Sequence, residues 1–157
     1  MVKIYQIKMR GIFLLAILFF GLNSCKKEDP ETQAAKDQKI IEEYIADKGL
    51  NAQTTESGLY YVIINQGSGS RPTIDSTVTV KYKGFLSDES VFDEATTPVT
   101  FSLRNVIAGW QEGIPLINEG GKITLLIPSR LGYKDQAVGS IPAYSVLIFD
   151  VELLEVN

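Results

Sequence analysis

Hydrophobic positions along the chain follow three different rhythms. Over 11–22 every residue is apolar. From about 34 to 48 the apolar residues Ile40, Ile41, Tyr44 and Ile45 recur at helical spacing among charged neighbours, and Gly49 stands where such a helix should stop. Beyond Gly58 the period shortens to that of strands. The segment 59–64 is rich in β-formers and closes on the turn-like 66–69. Over 77–84, Val78, Val80 and Tyr82 share one face while Thr79, Lys81 and Lys83 share the other, so Tyr82 points inward. The pattern then weakens: 87–90 reads as a turn and 95–98 as a loop, before Phe101 and Leu103 resume a short strand. Asn105 can cap a short helix through Val106, Ile107, Trp110 and Ile114, ended by Pro115 and Gly120 with Gly121. Two strands follow, 122–128 and 146–156; the second is apolar on both faces in its first half and belongs at the centre of a sheet.

These elements predict an α+β domain. About five strands, joined by hairpin-length or loop-length segments, form an antiparallel sheet packed on one short helix, with the N-terminal helix outside it. A chain of 157 residues has room for one core, and neither a repeat nor a low-complexity tract interrupts it.

The first rhythm is of a different kind. Lys3, Lys8 and Arg10 precede the apolar run, which is shorter than the roughly 20 residues a spanning helix needs, so 1–24 reads as a signal peptide. It ends in Leu22, Asn23, Ser24 and Cys25, which resembles a bacterial lipobox and implies lipidation of Cys25 with cleavage before it. The charged stretch up to residue 33 is then a flexible tether, and Lys27, Glu28 and Asp29 look like a surface-export signal. The expected location is the bacterial cell envelope, lipid-anchored at the outer membrane, facing either the periplasm or the surface. The predicted organisation is a leader over 1–24, lipidated cysteine and tether over 25–33, helix and linker over 34–57, and a globular domain over 58–157.

Composition removes several chemistries. There is no histidine and one cysteine, so an intrachain disulfide, a histidine-based triad and a His/Cys zinc site are all out of reach. No segment has the spacing of a metal or phosphate site, and no cofactor is expected. The net charge of −4 falls to about −7 without the leader, and no basic block with interleaved aromatics is present, which argues against nucleic acid. By pattern alone Tyr82, Phe92, Trp110 and Phe149 are core aromatics, Asp93 is a turn residue and Tyr133 a loop aromatic.

The order of short motifs says more. Val78 to Gly84 is followed by Val91, Phe92 and Asp93, and then by Val106, Ile107, Ala108, Gly109, Trp110, Gln111, Glu112 and Gly113. Gly120, Gly121 and Lys122 come next, then Ile127 to Tyr133, Ser140 to Pro142, and Leu147 to Leu153. In this order and spacing, the stretch from Gly58 to Val156 resembles the FKBP-type peptidyl-prolyl cis-trans isomerases, or immunophilins. The resemblance implies a half-barrel sheet curved around a short helix, with the active site in the hollow between them. Its catalytic pocket would be built from Tyr82, Phe92, Asp93, Trp110, Tyr133 and Phe149, with Val106 and Ile107 binding substrate and Val99 and Ile141 at the rim. Departures flank that pocket: Val99 stands where many relatives have an aromatic, Lys134 where glycine is usual, and the loop 135–139 is short.

Those residue types suit the reaction. An Xaa-Pro bond resists rotation by roughly 18–20 kcal/mol of amide resonance, and no covalent bond need break to cross that barrier. A catalyst must only bind the twisted amide better than either planar form. The resemblance implies that Trp110 floors an apolar hollow that grips the proline ring, and that the Ile107 N–H and Tyr133 hydroxyl meet substrate carbonyls. Asp93 would steady a wall tyrosine or meet a ligand hydroxyl. The expected partners are proline-containing segments of exported proteins, the membrane through the anchor at Cys25, and macrolide inhibitors in the same hollow. The alternative is a non-catalytic peptide-binding or chaperone module using that hollow.

Overall fold

The computed structural model describes residues 32–157. The leader over 1–24, the lipidation expected at Cys25 and most of the tether over 25–33 lie outside the described residues.

Helix α1 (Gln33–Lys48) begins where the Thr32 hydroxyl accepts the Ala35 N–H. It ends at Gly49, whose left-handed backbone turns its N–H back onto the carbonyls of Ala46 and Ile45. A lone helix of this length is marginal in water. Ile40, Ile41, Tyr44 and Ile45 hold it in place by packing against Tyr60, Phe85, Leu126, Val146 and Ile148. Ile41 is fully buried, worth roughly 1.5–3 kcal/mol for such a side chain.

Strands β1 (Gln53–Thr54), β2 (Tyr60–Asn65), β3 (Thr77–Phe85), β4 (Val91–Ser102), β5 (Lys122–Ile127) and β6 (Leu147–Val156) make one sheet in the order β1-β2-β5-β6-β3-β4. Every neighbouring pair is antiparallel. The additional strand beyond the expected five is β1, two exposed residues whose brevity leaves no alternation to read. The last strand lies inside the sheet, between β5 and β3, as its two-faced apolar start predicts.

The expected loop at 95–98 is instead part of β4. Val80 pairs with Val99 and Tyr82 with Ala95, so Thr96, Thr97 and Pro98 bulge opposite Lys81. An edge strand with most side chains in solvent shows no hydrophobic period, and proline is tolerated at its bulge.

The two sheet faces have separate work. Outward residues of β3, β5 and β6 (Phe85, Leu126 and Ile148) receive α1. Their inward neighbours, Val80, Leu125, Ile127, Leu147 and Phe149 among them, form the main core with helix α2 (Ala108–Gly113). That helix approaches closely because Gly109 and Gly113, one turn apart, face Ile127 and Leu125; a Cβ at either would come to 2.5 Å from those side chains. It starts later than expected. Asn105 belongs to a 3-10 turn (Leu103–Asn105), as does Leu103, expected in a strand. Val106 and Ile107 are extended, and Ile107 is the N-cap, without a side-chain cap bond. The extended pair turns the chain from edge strand to helix, and leaves Asn105 too far back to cap it.

Candidate active site

Between the inner sheet face and α2 lies a cavity of about 430 Å³, a size suited to a small ligand or a few residues of peptide. Strand β3 supplies Tyr82, β4 supplies Phe92, Asp93 and Phe101, and β6 supplies Phe149. Val106 and Ile107 enter from the turn before α2, Trp110 from its first turn, and Tyr133 and Ile141 from the loop between β5 and β6.

Trp110 is the floor. Tyr82 and Phe149 stand edge-on to it with ring centroids at 5.3 Å, and Phe101 does the same at 6.0 Å. Phe92 meets Phe149 edge-to-face at 5.4 Å. Edge-to-face packing of this kind is worth about 0.5–1.5 kcal/mol per pair beyond area burial, so the rings brace one another. The crowding depends on Gly84, whose missing side chain leaves room for both rings: a Cβ there would lie 2.6 Å from Phe92 and 2.7 Å from Phe149.

The polar groups are few. Tyr82 donates its hydroxyl proton to the Asp93 carboxylate at 2.6 Å. Burial first, then this hydrogen bond and the Asp93 charge, push the Tyr82 pKa well above the ordinary 10.0 for tyrosine. Its proton therefore stays on at neutral pH, and Asp93 is engaged as the acceptor of a wall tyrosine.

The Gln111 side-chain amide donates to the Val106 carbonyl at 2.8 Å. That carbonyl and the Ile107 N–H belong to one peptide group and point in opposite directions, so the bond on one side aims the N–H on the other. Neither the Ile107 N–H nor the Tyr133 hydroxyl has a hydrogen-bond partner among the described residues. Two donors are thus left for a ligand beside an aromatic box. No group of three or more potential metal-ligating side chains is found among the described residues.

Nine of the ten pocket residues expected from the sequence line this one cavity. Val99 does not: its short side chain stops against the main core, whereas Phe101, two residues on along the same strand, reaches the rings of Tyr82 and Trp110. Phe101 was legible only as a residue of a short strand. Asn105, Val138, Gly139 and Ser140 also line the cavity from irregular segments that carry no periodic signal. Gln111 lies on an unremarkable half-buried helix position, and only the fold brings it to Val106.

With this geometry, comparison with known proteins is informative. The sequence profile of the FKBP-type peptidyl-prolyl cis-trans isomerases matches residues 69–154. The chain belongs to this family. A probable FKBP-type isomerase, FkpA, of Neisseria meningitidis is 43% identical over 135 residues, covering 83% of this chain and 49% of the relative. The crystal structure of FkpA from Escherichia coli superposes with a TM-score of 0.71 at 42% identity, over 78% of this chain and 58% of that one. A peptidyl-prolyl cis-trans isomerase from Pseudomonas syringae gives a TM-score of 0.71 at 28% identity, covering 80% of this chain and 93% of the other. The chain spans about half the length of the FkpA relatives it matches. Within this FKBP-type domain the antiparallel sheet, the short α2 and the outer α1 agree with those structural relatives.

Proposed function

We propose that this FKBP-type chain is a peptidyl-prolyl cis-trans isomerase acting on proline-containing segments of exported proteins. The observation that carries the reading is an aromatic box with two unpaired donors, the Ile107 N–H and the Tyr133 hydroxyl, at its wall.

The proline ring sits on Trp110 between Tyr82, Phe92 and Phe149. A twisted amide has lost conjugation and needs polar solvation less than its planar forms, so a hollow with few polar groups favours it over water. The Ile107 N–H and Tyr133 hydroxyl donate to the flanking substrate carbonyls and hold the segment while the bond turns. No proton moves and no covalent intermediate forms. Macrolide inhibitors would occupy the same hollow and compete with the peptide.

The test is cis-to-trans isomerisation of an Ala-Leu-Pro-Phe type peptide by the chain from Lys26 to Asn157. The parent should accelerate the reaction, a macrolide inhibitor of the family should suppress it, and Tyr82→Phe with Asp93→Val should lose most of it. A folded parent no faster than buffer sinks the enzymatic reading and leaves a peptide-holding module.

The leader and the Leu22, Asn23, Ser24, Cys25 motif support a lipid anchor at Cys25 and a cell-envelope location, at the outer membrane. Expressed in a Gram-negative host, the full chain should partition into the detergent phase and Cys25→Ser into the aqueous phase. A parent found in the aqueous phase overturns the anchor.

A further inference from the structure

Helix α1 precedes the stretch that the family profile matches, and it lies on the sheet face opposite the cavity. Its contacts nevertheless converge on the cavity's loop wall. The segment 128–146, between β5 and β6, carries Tyr133 and the lining residues from Val138 to Ile141, and α1 holds it at both ends. At the near end the Asp37 carboxylate accepts the Ser129 N–H at 2.8 Å and the Ser129 hydroxyl at 2.6 Å; its other oxygen accepts the Gln33 amide at 2.7 Å. Asp37 and Ser129 are 1% and 2% exposed, the buried polar side chains among the described residues. At the far end Val146 is buried in the cluster that Ile41 centres.

The near contact leads directly to the site. The Ser129 carbonyl accepts the N–H groups of Gly132 and Lys134, the residues on either side of Tyr133. Lys134 in turn accepts the Tyr144 N–H, which draws the two limbs of the loop together. Apolar contacts alone would let a helix slide on a sheet. A buried carboxylate is costly unless its bonds are made, so it fixes one register of α1 against one residue of the loop.

We propose that α1 is a clamp on the active-site loop, with Asp37 as the positioning residue that sets Tyr133 through Ser129. The kinetic part of this inference rests on the isomerase reading; the loop-order part does not.

The test compares the full chain with Asp37→Ala, Asp37→Asn and Ile63→Ala. Ile63 packs against the main core from β2, lines no part of the cavity and does not belong to α1's cluster, so it serves as a comparator for general loss of stability. Asp37→Ala should speed amide exchange over 131–141 by roughly tenfold or more. It should also lower kcat/KM by roughly three- to tenfold at a temperature where all variants are folded. Asp37→Asn keeps an acceptor for Ser129 and should recover most of both. Ile63→Ala, with its lowered Tm, should change neither. Should Asp37→Ala fail to fold, Ser129→Ala removes one of the two bonds and should give a smaller change of the same kind. Exchange within about twofold of the parent in folded Asp37→Ala, or in Ser129→Ala where it stands in for that variant, overturns the clamp, as does an equal change in Ile63→Ala. A parent without isomerase activity defeats the proposed function, and the exchange measurement still decides the clamp.

Discussion

At the scale of single residues, the Tyr82–Asp93 pair sets the pH behaviour. The folded state holds the Tyr82 proton more tightly than the unfolded chain does, because burial and the Asp93 bond both favour the neutral phenol. The resulting stabilisation is complete below the ordinary tyrosine value of 10.0 and drains away as pH rises from there through the raised folded value. With no histidine in the chain and Tyr82 neutral, the kcat/KM profile for the peptide should be flat between about pH 6 and pH 9. A bell or a single step within that window would place a titrating group in the mechanism and contradict catalysis by binding the twisted amide alone. Asp93 shows the limit of local reading: after Val91 and Phe92 it is a turn aspartate by type, and only its pairing across from Gly84 on β3 brings it to the Tyr82 hydroxyl.

Among the elements, α2 does the positioning. Gly109 and Gly113 let it settle on β5, which seats Trp110 under the cavity, and Gln111 on the same helix reaches back to the Val106 carbonyl. Gln111→Leu should leave the Ile107 N–H unaimed and lower kcat/KM by roughly three- to tenfold. Gln111→Glu, which sets an acceptor against an acceptor, should do at least as much. Because position 111 is half-buried, the free energy of unfolding should fall by no more than the loss of one ordinary hydrogen bond, about 0.5–1.5 kcal/mol. Unchanged kinetics in both variants would mean that the 106–107 peptide holds its orientation without the side chain. Element boundaries are less legible than elements: helical spacing runs through Val106 and Ile107, yet both are extended and α2 begins at Ala108.

Across the whole molecule, one sheet separates two layers with different tasks. Its inner face meets α2 and bounds the cavity, while its outer face carries α1. The long edge strand β4 contributes three cavity residues and is blunted by a bulge with Pro98 and by solvent-exposed side chains, which discourages pairing with another chain. The sole tryptophan of the chain is the cavity floor, so the intrinsic fluorescence of this protein reports on the site itself. Segments as far apart as Tyr82 and Phe149 meet there because β3 and β6 are neighbours in the sheet though not in the chain.

The sequence alone determined the α+β class, the outer helix with its glycine stop, the inward face of β3 and the central place of the last strand. Each is written in local periodicity, which depends on which side of an element must be buried. The short motifs added the family and nine of the cavity residues, because their order survives even where single residues look ordinary. The tertiary structure decided what periodicity cannot carry. Val99 falls short of the cavity while Phe101 reaches it, since both share one strand face and only side-chain length against curved neighbours separates them. The 95–98 segment joins β4 because the hydrogen bonds of β3 hold it, not because of its own pattern. Asp37 and Ser129, 92 positions apart, are a helix polar residue and a loop serine until packing buries them against each other, and a buried polar pair forms only where both partners arrive together.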